Sequence, residues 1–438
     1  SKLRSKVSTQ EIEDVVWRLL QQKKFLKNSV VNIPSDAFPE LSDLKDQISS
    51  VTFNSIPEVV DRSMLRFIFF EFSNQGPETE AIESHDSEQV AASTHYILPT
   101  KCDGFHGLWE SLGNYYLLRI YCDVINYVLS VYGDNLKENL LDYASTMMQF
   151  SKMGIDQNIV ACNRLILLHG PPGTGKTSLS KALAQKLSIH MGSSYQFTHL
   201  FEINSHSLFS KWFSESGKLV MKMFQQIQEI IEMESSLVFV LIDEVESIAF
   251  ARGQCQNEPS DSVRVVNSVL QQIDRIKNYP NVLIIATSNL TSSIDLAFLD
   301  RADIVLYVGQ PTVDAVFIIL ASVISELACK GIITPDDQED GREEFNIESI
   351  NRFDKLQELQ SLPPFSNGNI MHQICKEATG LSGRSLRKLA FLAHALFLKK
   401  KTANLREFLM ALRSAVEFQK RNKDLIGQHN QAMITGDH

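Results

Sequence analysis

The spacing of apolar residues divides the chain into three kinds of segment. Between residues 7 and 25, Ile12, Val15, Val16, Leu19 and Leu20 recur at helical spacing, with Ser8 and Thr9 placed to cap the segment. Short β-type runs follow at Val51–Phe53, Leu65–Phe72 and His95–Leu98. Residues 74–93 carry Glu78, Glu80, Glu83, Asp86 and Glu88 with no Lys or Arg, which predicts a solvated loop or a disordered excursion. From residue 165 the pattern becomes strand, glycine loop, helix, repeated. Strands are predicted at Leu165–Leu168, Leu200–Ile203, Leu237–Ile242, Val282–Ala286 and Ile304–Val308. Continuous apolar strands alternating with helices predict a parallel sheet covered on both faces, hence an α/β domain. After Pro311 helical patterns take over, with helices predicted over 369–378, 382–399 and 405–418. An acidic stretch, Thr334–Glu344, reads as a loop, and Gly427–His438 reads as a polar tail.

Composition adds constraints. The 438 residues are 44% hydrophobic and 21% charged, the balance of a packed globule large enough for two or three domains. With 42 Lys plus Arg against 52 Asp plus Glu, the formal charge is −10, which argues against bulk nucleic-acid binding. The six cysteines form no CxxC pair and have no His cluster nearby, so they are expected to be free thiols of a reducing compartment. The chain opens Ser-Lys-Leu-Arg without an apolar h-region, so no secretory signal is expected. Residues 114–131 are strongly apolar, but Arg119, Asp123 and Asn126 interrupt them, so a buried or partly exposed helix is expected in place of a membrane span.

The chemistry concentrates in three segments. Gly170-Pro171-Pro172-Gly173-Thr174-Gly175-Lys176-Thr177 fits the phosphate-binding loop pattern, follows an apolar strand and opens a helix. Its backbone N–H groups are suited to phosphate, Lys176 to the β- and γ-phosphates and the Thr177 hydroxyl to Mg²⁺; Ser178 completes the nucleotide-binding segment. The buried strand Leu237–Ile242 ends in Asp243-Glu244. Carboxylates at a core edge are costly unless paired or metal-linked. Asp243 is expected to hold Mg²⁺ through water, and Glu244 to activate the attacking water. A third strand runs into Ser288-Asn289, where Asn289 is placed for the γ-phosphate or the lytic water; the competing reading is a turn-forming Asn.

Taken together, His169–Thr177 (HGPPGTGKT), Glu202–Lys218 (EINSHSLFSKWFSESGK), Val238–Ser247 (VFVLIDEVES), Arg301-Ala302-Asp303 and Gly380–Leu389 (GLSGRSLRKL) resemble an AAA+ ATPase. More narrowly they are similar to the pachytene checkpoint family of HORMA-domain remodellers, over about residues 102–420. The resemblance implies an AAA+ large α/β domain at 161–310 and a small helical lid at 311–425. An α+β substrate-recognition domain at 1–100, a linker with entry helices at 101–160 and a tail at 426–438 complete the expected organisation. It implies ATP and Mg²⁺ as cofactors and a homohexamer. Lys211-Trp212-Phe213 would then line a central pore and grip substrate, the alternative being core packing of Trp212. A second pore loop would fall in Ala251–Ser260. Arg301 resembles an arginine finger reaching the neighbour's γ-phosphate, and a surface salt bridge is the competing reading. The usual pattern carries two arginines there and this chain has Arg301 alone. Arg384 resembles the sensor arginine of the lid, with Arg387 a nearby decoy. A further departure is the run 114–131, which falls where the family is much shorter.

By the same resemblance the clients are HORMA-domain proteins, with a HORMA-like adaptor as a further partner. Direct nucleic-acid or membrane binding is not expected. The sites of action implied are nucleus and cytoplasm, including meiotic chromosomes. A second reading keeps the ring and changes the client, to a microtubule tail, a membrane-remodelling filament or a SNARE bundle. A nucleotide-gated scaffold without hydrolysis requires a damaged site, whereas Lys176, Asp243 and Glu244 are all present.

Overall fold

The computed structural model describes residues 31–34, 50–53, 75–82, 90–102, 136–156, 159–205, 216–233, 235–247, 261–289, 296–334 and 366–435, with a few isolated positions besides. In the amino-terminal part, Val31–Pro34 (β1) pairs antiparallel with Ser50–Phe53 (β2). Next come strands Glu78–Ile82 (β3) and Val90–Leu98 (β4), helix Leu136–Lys152 (α1) and strand Leu165–His169 (β5). Helix Lys176–Met191 (α2), strand Phe197–Asn204 (β6), helix Ser216–Ile231 (α3), strand Ser236–Asp243 (β7) and helix Asp261–Ile276 (α4) follow. Strand Val282–Ser288 (β8), the single turn Leu296–Leu299 (α5) and strand Ile304–Tyr307 (β9) complete a unit that begins after β2.

Its sheet has the order β3-β4-β6-β7-β8-β5-β9. The pairs β6·β7, β7·β8, β8·β5 and β5·β9 are parallel, while β4 runs antiparallel to both β3 and β6. Side chains alternate across a strand, so each apolar run feeds two cores. Leu165, Leu167, Val238, Val240, Ile242, Ile284 and Ala286 face one side, against Phe224 and Ile227 of α3 and Ile273 of α4. Ile166, Leu168, Phe239, Leu241, Leu283 and Ile285 face the other, against Leu140 and Met148 of α1 and Leu179 and Leu183 of α2. Burial on both faces explains why these strands read as unbroken apolar runs.

The lid is a separate unit. Helix Val313–Cys329 (α6), strand Ile333–Thr334 (β10), helix Asn367–Glu377 (α7) and helix Gly383–Leu392 (α8) lead into a π-helical stretch, Ala393–Leu398. Strand Ala403–Asn404 (β11) pairs parallel with β10, and helix Leu405–Thr435 (α9) closes the unit. Thr312, Ser366 and Ser382 each accept a backbone N–H three residues on, capping α6, α7 and α8. Phe317, Met371, Ile374, Leu389, Phe408 and Leu412 form the lid core.

The structure changes several expectations. Glu78–Ile82 and Val90–Ser93 are strands, correcting the loop expected at these positions, while residues 83–89 lie outside the described residues. Glu78 and Glu80 belong to an edge strand, a position that tolerates charge. Because β3 and β4 join the ATPase sheet through β6, residues 78–82 and 90–98 belong to that unit, although the expected first boundary lies at residue 100. Residues 427–435 of the expected polar tail have helical backbone and continue α9 to Thr435. The helix expected over 382–399 widens to π geometry at Ala393 and ends at Lys399, whose φ is 52°. No helix among the described residues is long and apolar enough to cross a membrane. Residues 114–131 and 335–344 lie outside the described residues.

Candidate active site

Parallel strands end on the same edge of a sheet, and that geometry brings distant motifs together. His169 at the end of β5 is in register with Ser288 at the end of β8, and Ile242 of β7 with Ala286 of β8. The phosphate loop, Asp243-Glu244 and Asn289 therefore emerge side by side at the carboxyl ends, where ligands bind in open α/β sheets. Gly170 N–H donates to the Ser288 carbonyl at 3.2 Å and Val308 N–H to the His169 carbonyl at 2.7 Å, fixing the root of the loop.

Backbone shape specifies the glycines. Gly170 has φ 149°, and a Cβ there would collide with the Val308 carbonyl. Gly175 has φ 95°, a left-handed turn that delivers the chain into α2. Between them, Thr174 Oγ1 donates to the Pro171 carbonyl at 3.0 Å. Pro172 is exposed, Gly173 turns with φ 77°, and Ser178 lies half-buried in the first turn of α2.

Lys176 is buried at the loop's centre, its Nζ donating to the carbonyls of Gly170 at 2.8 Å and Pro171 at 2.9 Å. Burial pushes its ammonium below the usual lysine range, while the carboxylates of Glu246, Asp243 and Glu244 pull the other way. Glu246 Oε2 is buried with no hydrogen-bond partner among the described residues. His169 is pushed down by burial and by the Lys176 charge, and its ring lies 5.4 Å from that of Tyr307.

The Thr177 hydroxyl donates to Asp243, 2.9 Å from Oδ1 and 3.1 Å from Oδ2. A hydroxyl that gives its proton to a carboxylate keeps its lone pairs for a cation. Hydroxyl and carboxylate together form a hard-oxygen donor set of the kind magnesium takes. These residues and the glycine cradle fit a triphosphate with its divalent ion.

Asp243 also receives the Thr287 hydroxyl, and the Thr287 Oγ1 in turn accepts the Glu244 N–H at 3.3 Å. Glu244 has φ 58°, a left-handed conformation that costs a non-glycine residue about 1–3 kcal/mol. Val245 N–H to the Thr287 carbonyl, 2.9 Å, holds the next residue. The strained turn sends the Glu244 side chain into solvent-accessible space, where Asn289 Nδ2 donates to its Oε1 at 3.5 Å. Thr287 is a site residue that sequence reasoning missed. It is the last residue but one of β8 and directly precedes Ser288-Asn289, but a threonine in a strand is an ordinary β-former, so its type alone does not mark it.

Arg301 follows α5 and is half-buried. Its Nε reaches Asp274 Oδ1 and Oδ2 at 3.0 and 3.1 Å, and its Nη2 reaches Oδ2 at 2.7 Å. This ion pair is what the competing, salt-bridge reading of the arginine expects. Within the lid, Arg384 lies exposed in the first turn of α8 behind the Ser382 cap, with Arg387 one turn on. Lys211, Trp212, Phe213 and the segment 251–260 lie outside the described residues.

Comparison with known proteins agrees with this arrangement. Residues 166–310 match the family described as "ATPase family associated with various cellular activities (AAA)". Residues 312–420 match "TRIP13-like, AAA+ ATPase lid C-terminal domain". The "Pachytene checkpoint protein 2 homolog" of Rattus norvegicus is 42% identical over 437 residues, covering 97% of this chain and 93% of the relative. That of Homo sapiens is 47% identical over 363 residues, covering 81% of this chain and 76% of the relative. Among solved structures, "Structure of C. elegans PCH-2" superposes with a TM-score of 0.71 at 33% identity, covering 96% of this chain and 97% of that one. The chain is an ATPase and belongs to the pachytene checkpoint protein 2 family of AAA+ proteins.

Proposed function

We propose that this ATPase works as a homohexamer that partially unfolds HORMA-domain proteins through a central pore. In doing so it would control meiotic chromosome-axis and spindle checkpoint complexes, in the nucleus including meiotic chromosomes and in the cytoplasm. One observation supports the hydrolytic half above the rest: Glu244 and Asn289 form a pair beside the pair Thr177 and Asp243, on one edge of one sheet. In this reading Lys176 binds the β- and γ-phosphates, while Thr177 and, through water, Asp243 hold Mg²⁺. When bound, that ion neutralises charge on the phosphate oxygens. Glu244 takes the proton of the attacking water, and Asn289 keeps the carboxylate aimed. The strained Glu244 backbone is held by Thr287 and so needs no rearrangement as the reaction proceeds.

Arg301 supplies positive charge to the neighbouring subunit's γ-phosphate, and Arg384 couples the lid to the nucleotide. Lys211, Trp212 and Phe213, with 251–260, grip the threaded client, which a HORMA-like adaptor helps to present. The names of the relatives, with the word pachytene, support the meiotic setting. The deciding experiment is Trp212→Ala in the full chain with a HORMA-domain client. Client conversion is expected to vanish while ATP still binds; conversion at the normal rate would reject the pore. Retention of a microtubule tail or a SNARE bundle, and not the HORMA protein, by an ATP-loaded Glu244→Gln chain would move the client class.

A further inference from the structure

We propose that Asp274 is a positioning residue for Arg301, setting the guanidinium for its work on the neighbouring subunit's phosphate. The inference rests on the trans-acting reading of Arg301 and adds the group that aims it. Asp274 lies in the last turn of α4, and its carboxylate meets the guanidinium side-on through Nε and Nη2 at 2.7 to 3.1 Å. This is the two-pronged geometry that gives an arginine direction as well as attraction. An unpartnered arginine side chain otherwise samples many rotamers. The side chain nevertheless remains 26% exposed, so it is held without being sealed in.

The carboxylate is itself held. Lys277 Nζ lies 3.0 Å from Asp274 Oδ1 and reaches the Asn163 Oδ1 at 3.3 Å. The Lys277 carbonyl accepts Arg164 Nη1 at 2.6 Å, and Arg164 Nε donates to Ser151 Oγ of α1 at 3.0 Å. Arg164 is buried with φ 58°, a conformation that needs such support. The backbone beyond the arginine is fixed too, because the Asp303 carboxylate accepts the N–H groups of Asn163 at 2.7 Å and Leu165 at 3.2 Å. Both ends of the Arg301 side chain are therefore tied to the segment that enters β5, the strand leading to the phosphate loop. Burial pushes the Asp274 carboxyl up, but hydrogen bonds from Arg301 and Lys277 prevail and hold it below its usual range. A half-exposed ion pair adds little stability by itself, so the consequence of this one should appear in turnover.

The test is steady-state ATP hydrolysis by the full chain carrying Asp274→Asn, Asp274→Glu or Lys277→Gln, each with and without Arg301→Ala. Asp274→Asn is expected to lower kcat about tenfold, within the range a misplaced group costs, with KM for ATP and the melting temperature nearly unchanged. Asp274→Glu should recover part of the loss and Lys277→Gln should cost about twofold. In the Arg301→Ala background all three should have no further effect, the non-additivity of a shared unit. Equal losses in both backgrounds would mean a structural role and overturn the proposal. Faster turnover in Asp274→Asn would make Asp274 a restraint and overturn it too, as would unchanged kcat. Should Asp274→Asn melt early, Lys277→Gln carries the same comparison. Mixing Glu244→Gln chains with Arg301→Ala chains separates the two ideas. Recovered hydrolysis shows that Arg301 completes a neighbour's site; recovery with a silent Asp274→Asn defeats only Asp274. No recovery defeats the trans reading, and this proposal with it.

Discussion

The lid and the carboxyl edge of the large sheet draw on the same apolar residues but spend their polar ones differently. In the lid, Thr312, Ser366 and Ser382 cap helices, and Arg413 makes an ordinary fork to Glu377 at 2.6 and 3.1 Å. At the sheet edge a lysine is buried on loop carbonyls, Glu246 Oε2 lacks a partner among the described residues, and Glu244 stands at positive φ. The lid departs from local rules too, at Lys399 with φ 52° and at His394 Nε2, which is buried without a partner among the described residues, but at the sheet edge the departures gather on charged groups around one loop. Stability and chemistry should accordingly respond to different substitutions.

The largest expected effect is in the lid. Phe408 is fully buried in the lid core, and Phe408→Ala should cost about 3–5 kcal/mol of lid stability, read by denaturant unfolding followed in the lid. Thr287→Val, by contrast, should lower kcat about tenfold, because it removes both the Asp243 contact and the acceptor for the Glu244 N–H; Thr287→Ser should restore most of it. Its melting temperature should move little. A Thr287→Val enzyme with normal turnover would remove the distinction drawn between the two regions.

A smaller effect lies at the β4–β6 boundary, where His95 Nε2 and His199 Nδ1 are 2.9 Å apart. Burial, with the neighbouring His95, pushes His199 down to about 4. The unfolded chain takes up that proton first, so stability should fall as pH drops from about 6.5 toward 4. The loss at pH 5 should be on the order of 1 kcal/mol, and His199→Gln should flatten it in paired melts at pH 7 and pH 5.

What the sequence disclosed follows the range of the interactions. The phosphate loop was legible because strand, glycines, lysine and helix are consecutive, and Asp243-Glu244 because two carboxylates ending a buried strand need a purpose. Asn289 was legible by its place at the end of a third strand. Thr287 was not, since its two partners are on β7 and just beyond it and a threonine in a strand has an ordinary explanation. The Asp274–Arg301 pair joins positions that no local pattern links. Over residues 78–82 acidic composition points to a loop, whereas the alternation of Glu78 and Glu80 with Thr79 and Ala81 suits the edge strand that forms. The end of α9 was not legible because its sequence carries no sustained apolar stripe.

The central claim is that Glu244, held by Thr287 and Asn289, activates the water that cleaves ATP bound at the phosphate loop. Its most direct test is the nucleotide recovered from Glu244→Gln chains incubated with ATP and Mg²⁺ and then freed of excess nucleotide. The account predicts ATP retained uncleaved, with hydrolysis lowered at least a hundredfold, within the contribution of a positioned base. Recovery of ADP at the normal rate, or failure of the variant to hold nucleotide at all, would contradict it.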